Sequence, residues 1–232
     1  MELTVSLLND ITGNSAFADR KASYIDRLKD VGGDFINAAV FAQINAQVMK
    51  ESGSFKYVEE IASGKAYEGR KDLGNTRKGD GVRYKGRDLV QCTGRFNYGK
   101  LSKWAGVDFL NHPELLTDHK YLGLSVIWYF STRNGLLQYC KDGNNEMVTR
   151  RVNGGLNHYA ERLRYYDQTA LSILGYETIA QAQKALGVKV DGVSGPVTRK
   201  AMHKALSKIT FKDAKPTLSW VDLILKLLGL KK

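Results

Sequence analysis

One carboxylate in this chain lies where a general acid is expected. Glu51 ends an Ala-rich stretch, residues 35–50, that is apolar on nearly every face and contains no Gly or Pro. This stretch predicts a buried helix, and Gly53 predicts its end, since Gly readily adopts the left-handed cap conformation. Burial and the negative end of the helix dipole should both raise the pKa of Glu51. A carboxyl that keeps its proton near neutral pH can act as a general acid; an ordinary surface Glu is the alternative interpretation.

Other catalytic chemistries have weaker support in the sequence. Cys92 and Cys140 lack a context that would activate a thiolate. No phosphate-binding loop is present, and no histidine has a zinc-type partner at helical spacing; the four are His112, His119, His158 and His203. We therefore predict no metal and no cofactor. A set of carboxylates around a glycine-rich loop remains, and glycoside hydrolysis uses such groups.

The glycine-rich loop covers residues 66–99 and contains seven of the 23 glycines in the chain. This glycine content excludes a regular helix and predicts a loop with short strands at 81–84 and 89–92. The loop also contains Tyr, Leu, Val and Phe, which should become buried, so a floppy linker fits poorly. Long ordered loops in compact domains are usually functional.

Helical spacing of apolar residues predicts the elements that position these groups. We expect helices over residues 2–12, 17–31, 97–105, 114–117, 121–133, 146–152 and 159–174. Asp34 is the expected N-cap of the buried helix. Residues 1–175 are therefore predicted to form one mainly α domain with a small β and loop region.

A small helical module is predicted over residues 176–210. Thr178 and Gln181 have the spacing of a capping box, which starts a helix that ends at Gly187. Pro196 should begin a second helix that runs to about residue 209. Residues 211–232 are predicted to be a basic amphipathic tail, and a helix over its last part, residues 219–232, is too short to span a bilayer. This tail either lies in a membrane interface or packs on protein.

The charge of the chain is positive and concentrated at its C-terminal end. The 232 residues carry a net charge of +11, and residues 176–232 alone contain 11 Lys and Arg against 4 Asp and Glu. This balance indicates an acidic partner: nucleic acid, an anionic membrane surface or a cell-wall polymer. Two cysteines are too few for a disulfide scaffold. We expect no signal peptide in the first ten residues and no membrane-spanning helix.

Three motifs resemble the family 19 glycoside hydrolases, which include chitinases and endolysins of phages that infect Gram-negative bacteria. Residues 50–60 (KESGSFKYVEE) are similar to the catalytic segment of that family, and residues 86–98 (GRDLVQCTGRFNY) to its second motif. Residues 152–156 (VNGGL), with Arg162, resemble the third motif. The resemblance spans about residues 34–166, and residues 67–76 (YEGRKDLGNT) are closest to the phage branch.

The resemblance implies a lysozyme-like fold and a role for each matching residue. Glu51 corresponds to the general acid, Glu60 to the general base, and Thr93 to the hydroxyl that helps to hold the attacking water. Glu59 and Glu68 are alternatives for the base. The residues expected to contact substrate are Gln91, Asn97, Tyr84, Asn153, Arg162 and Glu68. The family inverts the anomeric carbon, which requires carboxyl groups about 6.5–9.5 Å apart.

The sequence departs from the family pattern at two positions. Lys50 stands where the family usually has His, and a cation directed at Glu51 would lower the pKa of the acid. Asp88 stands where the family usually has Gly. Neither departure removes a catalytic group.

Residues 182–198 resemble a short peptidoglycan-binding module, which favours peptidoglycan over chitin as the substrate. We therefore predict a phage-type endolysin, a monomer that hydrolyses the β-1,4 bond between N-acetylmuramic acid and N-acetylglucosamine and so causes lysis. It would be made in the host bacterial cytoplasm and reach the periplasm through a separate membrane-permeabilising protein. Residues 217–232 would contact the anionic outer membrane, and no nucleic acid is expected as a partner. A chitinase and a non-catalytic wall-binding protein are the alternatives.

Overall fold

The computed structural model describes residues 1–212, and the chain in this range is mainly α-helical. The helices are α1 (Val5–Thr12), α2 (Ala18–Val31), α3 (Ala38–Ser52), α4 (Asp80–Arg83), α5 (Arg95–Ala105), α6 (Leu124–Thr132), α7 (Leu136–Lys141), α8 (Asn145–Asn153), α9 (Tyr159–Leu174), α10 (Ile179–Leu186) and α11 (Pro196–Leu206). Short 3-10 helices cover Gly33–Ile36, Lys65–Tyr67, Lys71–Leu73 and Pro113–Thr117. Within residues 1–212, the β structure consists of isolated bridges such as Glu59–Arg87 and Arg87–Cys92.

Helix α3 is the central element of the fold. It is buried along nearly its whole length, as predicted, and packs against α9, α7, α11 and α8. Gly53 ends the helix with a φ of 58°, in the left-handed conformation predicted for it. The predicted N-cap, Asp34, is wrong. A 3-10 turn covers Gly33–Ile36, and the side chain of Asn37 instead accepts hydrogen bonds from the first turn of α3.

The hydrophobic core has two parts. The larger part surrounds α3 and includes apolar residues from α1, α2 and α6–α11. The smaller part lies between α5 and α6, and five of its eleven buried members are aromatic: Tyr84, Tyr98, Phe109, Tyr121 and Trp128. The glycine-rich loop contributes Tyr84 and Tyr98 to this second part, so these two rings are buried as expected, whereas Phe96 of the same loop is exposed.

Most predicted helices are present, and α9 has the predicted bounds. Helix α7 was not predicted, because its six residues are too few for a periodic pattern. The strands predicted at 81–84 and 89–92 are wrong, because the first segment overlaps α4 and the second is a tight turn. The single turn of α4 is stabilised from outside: Glu68 accepts hydrogen bonds from the N–H groups of Gly79 and Gly81, and Arg95 forms an ion pair with Asp80.

The C-terminal helices pack on the rest of the protein. The capping box of Thr178 and Gln181 is formed at the start of α10, and Pro196 begins α11, both as predicted. Residues of both helices, including Ala182 and Met202, belong to the same core as α3. The predicted boundary at residue 175 therefore does not separate two hydrophobic cores.

Two residues assigned to the tail also belong to the fold. Phe211 is buried and donates its backbone N–H to Ile36, and Lys212 forms a β-bridge with Glu2. The expectations for residues 217–232 lie outside the described residues. Among the helices of residues 1–212, none has the length and apolar character required to cross a membrane.

Candidate active site

The acid candidate, Glu51, lies in the last turn of α3 and is ion-paired. Its Oε1 atom lies 2.5 Å from Nη2 of Arg162 on α9, and 26% of its side chain is exposed. Arg162 itself is 3% exposed. The expectation that Glu51 is a buried carboxyl without a partner is therefore wrong, because α9 places the buried guanidinium of Arg162 at the end of α3.

Arg162 is oriented by a residue that the sequence analysis missed. Its Nη1 atom donates to Oε1 of Gln47 at 2.5 Å, and Gln47 in turn donates to Thr149 of α8 at 3.4 Å. Gln47 precedes Glu51 by four residues, so the two side chains share one face of α3. This four-residue spacing is the feature of the sequence that could have identified Gln47. The position of Glu51 is therefore fixed by contacts among three helices, α3, α8 and α9.

Lys50 forms an ion pair with a carboxylate other than the acid candidate. Its ammonium group lies 2.8 Å from Oε2 of Glu161 on α9. The hydrogen bond from Lys50 is the main cause that lowers the pKa of Glu161 below its usual range. The departure from the family pattern at Lys50 therefore adds a second ion pair between α3 and α9.

The base candidate, Glu60, has both carboxylate oxygens hydrogen-bonded. Oε1 accepts from the Tyr67 hydroxyl at 2.9 Å, and Oε2 accepts from the N–H of Gly86 at 3.0 Å. The backbone N–H of Glu60 also donates to the Gly86 carbonyl at 2.8 Å. Burial raises the pKa of Tyr67, and its hydrogen bond to Glu60 adds to the rise. Glu60 is therefore fixed against the glycine-rich loop.

The two alternative bases have structural contacts instead. Glu59 forms ion pairs with Arg87 at 2.9 Å and with Lys85 at 3.3 Å. The Glu68 carboxylate accepts two backbone N–H groups at the start of α4. The predicted substrate contact of Glu68 has no support in this arrangement, because both of its oxygens stabilise the loop.

Thr93 lies beside the base candidate. Its hydroxyl donates to the Gln91 carbonyl at 2.8 Å. A Cβ atom on Gly86 would lie 3.3 Å from Oγ1 of Thr93 and 2.6 Å from Oε1 of Gln91. Since Gly86 also donates to Glu60, the carboxylate and the hydroxyl meet around one glycine that leaves no room for a side chain.

Two of the predicted substrate contacts lie close to Thr93. Asn97 donates its amide to the Thr93 carbonyl at 2.8 Å, and Gln91 donates to the Asp88 carbonyl at 3.1 Å. Asn153 lies at the end of α8, and its buried Nδ2 atom has no hydrogen-bond partner within residues 1–212. An unsatisfied buried donor is rare in folded proteins, and no contact among the described residues gives this amide a structural role.

The prediction for Tyr84 is corrected by its burial. Only 1% of Tyr84 is exposed, and its hydroxyl donates to the Leu110 carbonyl at 2.9 Å. Its ring packs on Tyr98, with 5.2 Å between the ring centroids. Tyr84 therefore packs in the smaller part of the core and is not exposed to a ligand.

Asp88 explains the second departure from the family pattern. Its φ of +64° is a conformation that Gly adopts readily and Asp tolerates. Its buried carboxylate accepts hydrogen bonds from the N–H groups of Leu89, Gly123 and Ser125 at 2.7–2.8 Å. Burial raises the pKa of Asp88, although these hydrogen bonds oppose the rise. Asp88 thus anchors the glycine-rich loop to the start of α6.

The cysteines take no part in this arrangement. Cys92 and Cys140 are both buried and form no disulfide. Burial raises the pKa of both thiols, so neither provides a reactive thiolate.

Comparisons with known proteins identify sequence relatives and similar solved structures. No family model matches the sequence. A Haemophilus influenzae protein described as containing a glycosyl hydrolase family 19 domain is 35% identical over 108 residues, which are 46% of this chain and 51% of that protein. An Arabidopsis thaliana endochitinase is 30% identical over 165 residues, 62% of this chain and 58% of the relative. The chain therefore spans about half the length of the curated relatives that it matches.

Several solved chitinase structures are similar in fold. Chitinase C from Streptomyces griseus has a TM-score of 0.56 at 20% identity and covers 75% of this chain and 77% of its own. A bacterial family 19 chitinase has a TM-score of 0.56 at 21% identity, covering 75% of this chain and 96% of its own. These similarities confirm the mainly α, lysozyme-like fold, and the sequence relatives confirm the resemblance to family 19.

Proposed function

We propose that this protein is an inverting glycoside hydrolase in which Glu51 is the general acid and Glu60 the general base. The observation that carries this proposal is the meeting of Glu60 and Thr93 at Gly86, while Glu59 and Glu68 are held in structural contacts. The sequence similarity to glycosyl hydrolase family 19 proteins supports the same assignment.

The reaction is a single displacement with two proton transfers. Glu51 donates a proton to the glycosidic oxygen as the bond from that oxygen to the anomeric carbon breaks. Glu60 accepts a proton from a water whose oxygen forms the new bond to the anomeric carbon, and Thr93 helps to orient this water. The configuration inverts because the water attacks from the face opposite to the leaving group.

Two glycan substrates fit this chemistry, and we favour peptidoglycan. The basic charge of residues 176–232 and the similarity of residues 182–198 to a wall-binding module support a cell-wall polymer. Chitin is the second candidate, because sequence relatives and structural neighbours are named chitinases. With peptidoglycan as substrate, the role we propose is that of an endolysin acting on the periplasmic wall, with residues 217–232 contacting the anionic outer membrane.

Replacement of the acid tests the proposed reaction. Glu51→Gln should lower kcat on purified murein by about 100-fold or more, because general acid catalysis contributes roughly 10²–10⁴-fold. Mass spectrometry of the digested murein would identify the bond that is cut, and NMR of fresh product would show its anomeric configuration. Glu146→Gln, which removes an exposed carboxylate on α8, is the matched control and should keep its activity. Full activity of Glu51→Gln would contradict the assignment.

A further inference from the structure

A cavity of about 360 Å³ lies between α5 and the end of α6. It adjoins the base side of the candidate site, because the lining residue Asn97 donates its amide to Thr93. On its other side, the lining residue Arg133 lies 4.7 Å from the ring centroid of Tyr129. The Tyr129 hydroxyl donates to the Arg151 carbonyl of α8, the helix that carries Asn153 and packs on α3. The cavity therefore extends the candidate site toward α6.

The cavity carries positive charge without a matching carboxylate. Its lining residues include Lys100 and Arg133 but no Asp or Glu. Lys100 contacts the Phe96 ring at 4.1 Å, and Arg133 contacts Tyr129. Neither cation forms an ion pair with another of residues 1–212. Two uncompensated cations beside a binding cleft favour an anionic group on the ligand.

The walls of the cavity also suit a sugar polymer. Phe96 is 55% exposed at its rim, and Trp128 forms a nearly buried wall. The amide of Asn97 adds polar groups. Small-molecule sites combine aromatic walls with a few placed polar groups in cavities of about 300–1,000 Å³. The cavity thus has the size and lining of a subsite for one sugar unit with its substituent.

We propose that this cavity is a subsite for a carboxylate-bearing sugar unit, and that Lys100 and Arg133 bind the carboxylate. This inference rests on the proposed function and specifies its substrate class. In peptidoglycan the carboxylate belongs either to the peptide stem or, where the stem has been removed, to the lactyl group of N-acetylmuramic acid. Chitin has no such group and would gain nothing from the two cations.

The test compares substrates with and without carboxylates. The ratio of kcat/KM for peptide-bearing murein fragments to that for the same fragments with amidated carboxyls should exceed one in the wild type. In the double variant Lys100→Gln/Arg133→Gln this ratio should fall about tenfold, equivalent to about 1.4 kcal/mol. Added salt should lower the wild-type ratio, because exposed charges are screened. Glycan strands stripped of peptides, with free lactyl carboxylates, separate the two sources of the charge.

A matched double variant supplies the control. Lys120 and Arg164 are also exposed cations that contact tyrosine rings, at 5.3 and 5.1 Å, but they do not line the cavity. Lys120→Gln/Arg164→Gln should keep the wild-type ratio. Two outcomes would overturn the subsite and leave glycoside hydrolysis intact. One is an unchanged ratio in Lys100→Gln/Arg133→Gln, and the other is a wild type that hydrolyses only chitin fragments. A wild type that hydrolyses no glycan would overturn the proposed function itself.

Discussion

The carboxylates of the candidate site are each held by hydrogen bonds. Arg162, which also donates to Gln47, holds Glu51, while Tyr67 and Gly86 hold Glu60. Charged groups held in this way need little reorganisation when a reaction begins, and such preorganisation is a main source of catalysis. These contacts also distinguish Glu60 from its neighbour Glu59, whose carboxylate is ion-paired with Arg87.

A comparison of three variants tests the choice of base. Glu60→Gln should lower kcat on murein by about 100-fold or more, because it removes the proton acceptor. Glu59→Gln and Glu68→Gln should keep most of kcat, since their carboxylates contact cations and backbone N–H groups of the loop. Steady-state kinetics over a range of pH provides the measurement. A larger loss in Glu59→Gln or Glu68→Gln than in Glu60→Gln would move the assignment to that residue.

At the scale of elements, two carboxylates, the buried Asp88 and the exposed Glu68, fix the glycine-rich loop at the starts of helices. Asp88 accepts three backbone N–H groups, two of them at the start of α6, and Glu68 accepts two at the start of α4. A carboxylate at a helix N-terminus satisfies donors that the helix cannot pair itself. These contacts place Gly86 and Thr93 without any regular strand among residues 66–99.

Removal of the Asp88 carboxylate should destabilise the protein. Asp88→Ala leaves buried N–H groups of Gly123 and Ser125 unpaired, and we expect the free energy of unfolding to fall by about 3 kcal/mol. Denaturant unfolding measures this change. Asp108→Ala is the control, because Asp108 is exposed and accepts hydrogen bonds from the nearby Asn111, so its loss should cost less than about 1 kcal/mol. Equal costs for the two variants would argue against the anchoring role of Asp88.

At the scale of the molecule, the C-terminal helices stabilise the element that carries the acid. Arg199 of α11 forms a two-bond ion pair with Asp167 of α9. The Phe211 ring packs edge-on against Phe41 of α3, with 5.4 Å between their centroids. Residues 176–212 therefore contribute to the stability of α3, whatever wall-binding role they have.

Truncation of Phe211 measures this contribution. Phe211→Ala should lower the free energy of unfolding by about 3 kcal/mol, because it leaves a cavity against α3. Phe96→Ala removes a largely exposed ring and should cost less than about 1 kcal/mol. Thermal or denaturant unfolding provides the measurement. A cost below about 1 kcal/mol for Phe211→Ala would mean that the C-terminal residues are only loosely attached.

The sequence by itself determined the local features of this protein. The apolar character of residues 38–49 predicts the burial of α3, and Gly53 predicts its end beside Glu51. The capping box at Thr178 and the bounds of α9 were likewise predictable. These features depend on side-chain periodicity and on the backbone preferences of a few neighbouring residues, which any short window of sequence contains.

The tertiary structure decided which charged groups meet. Arg162 reaches Glu51 from 111 residues along the chain, and Asp88 reaches Ser125 from 37 residues away. The direction of Lys50 and the replacement of a predicted strand by α4 also depend on distant partners, Glu161 and Arg95. The physical reason is that an ion pair or a helix cap requires atoms within hydrogen-bond distance, and only the packing of α3, α6 and α9 brings those atoms together.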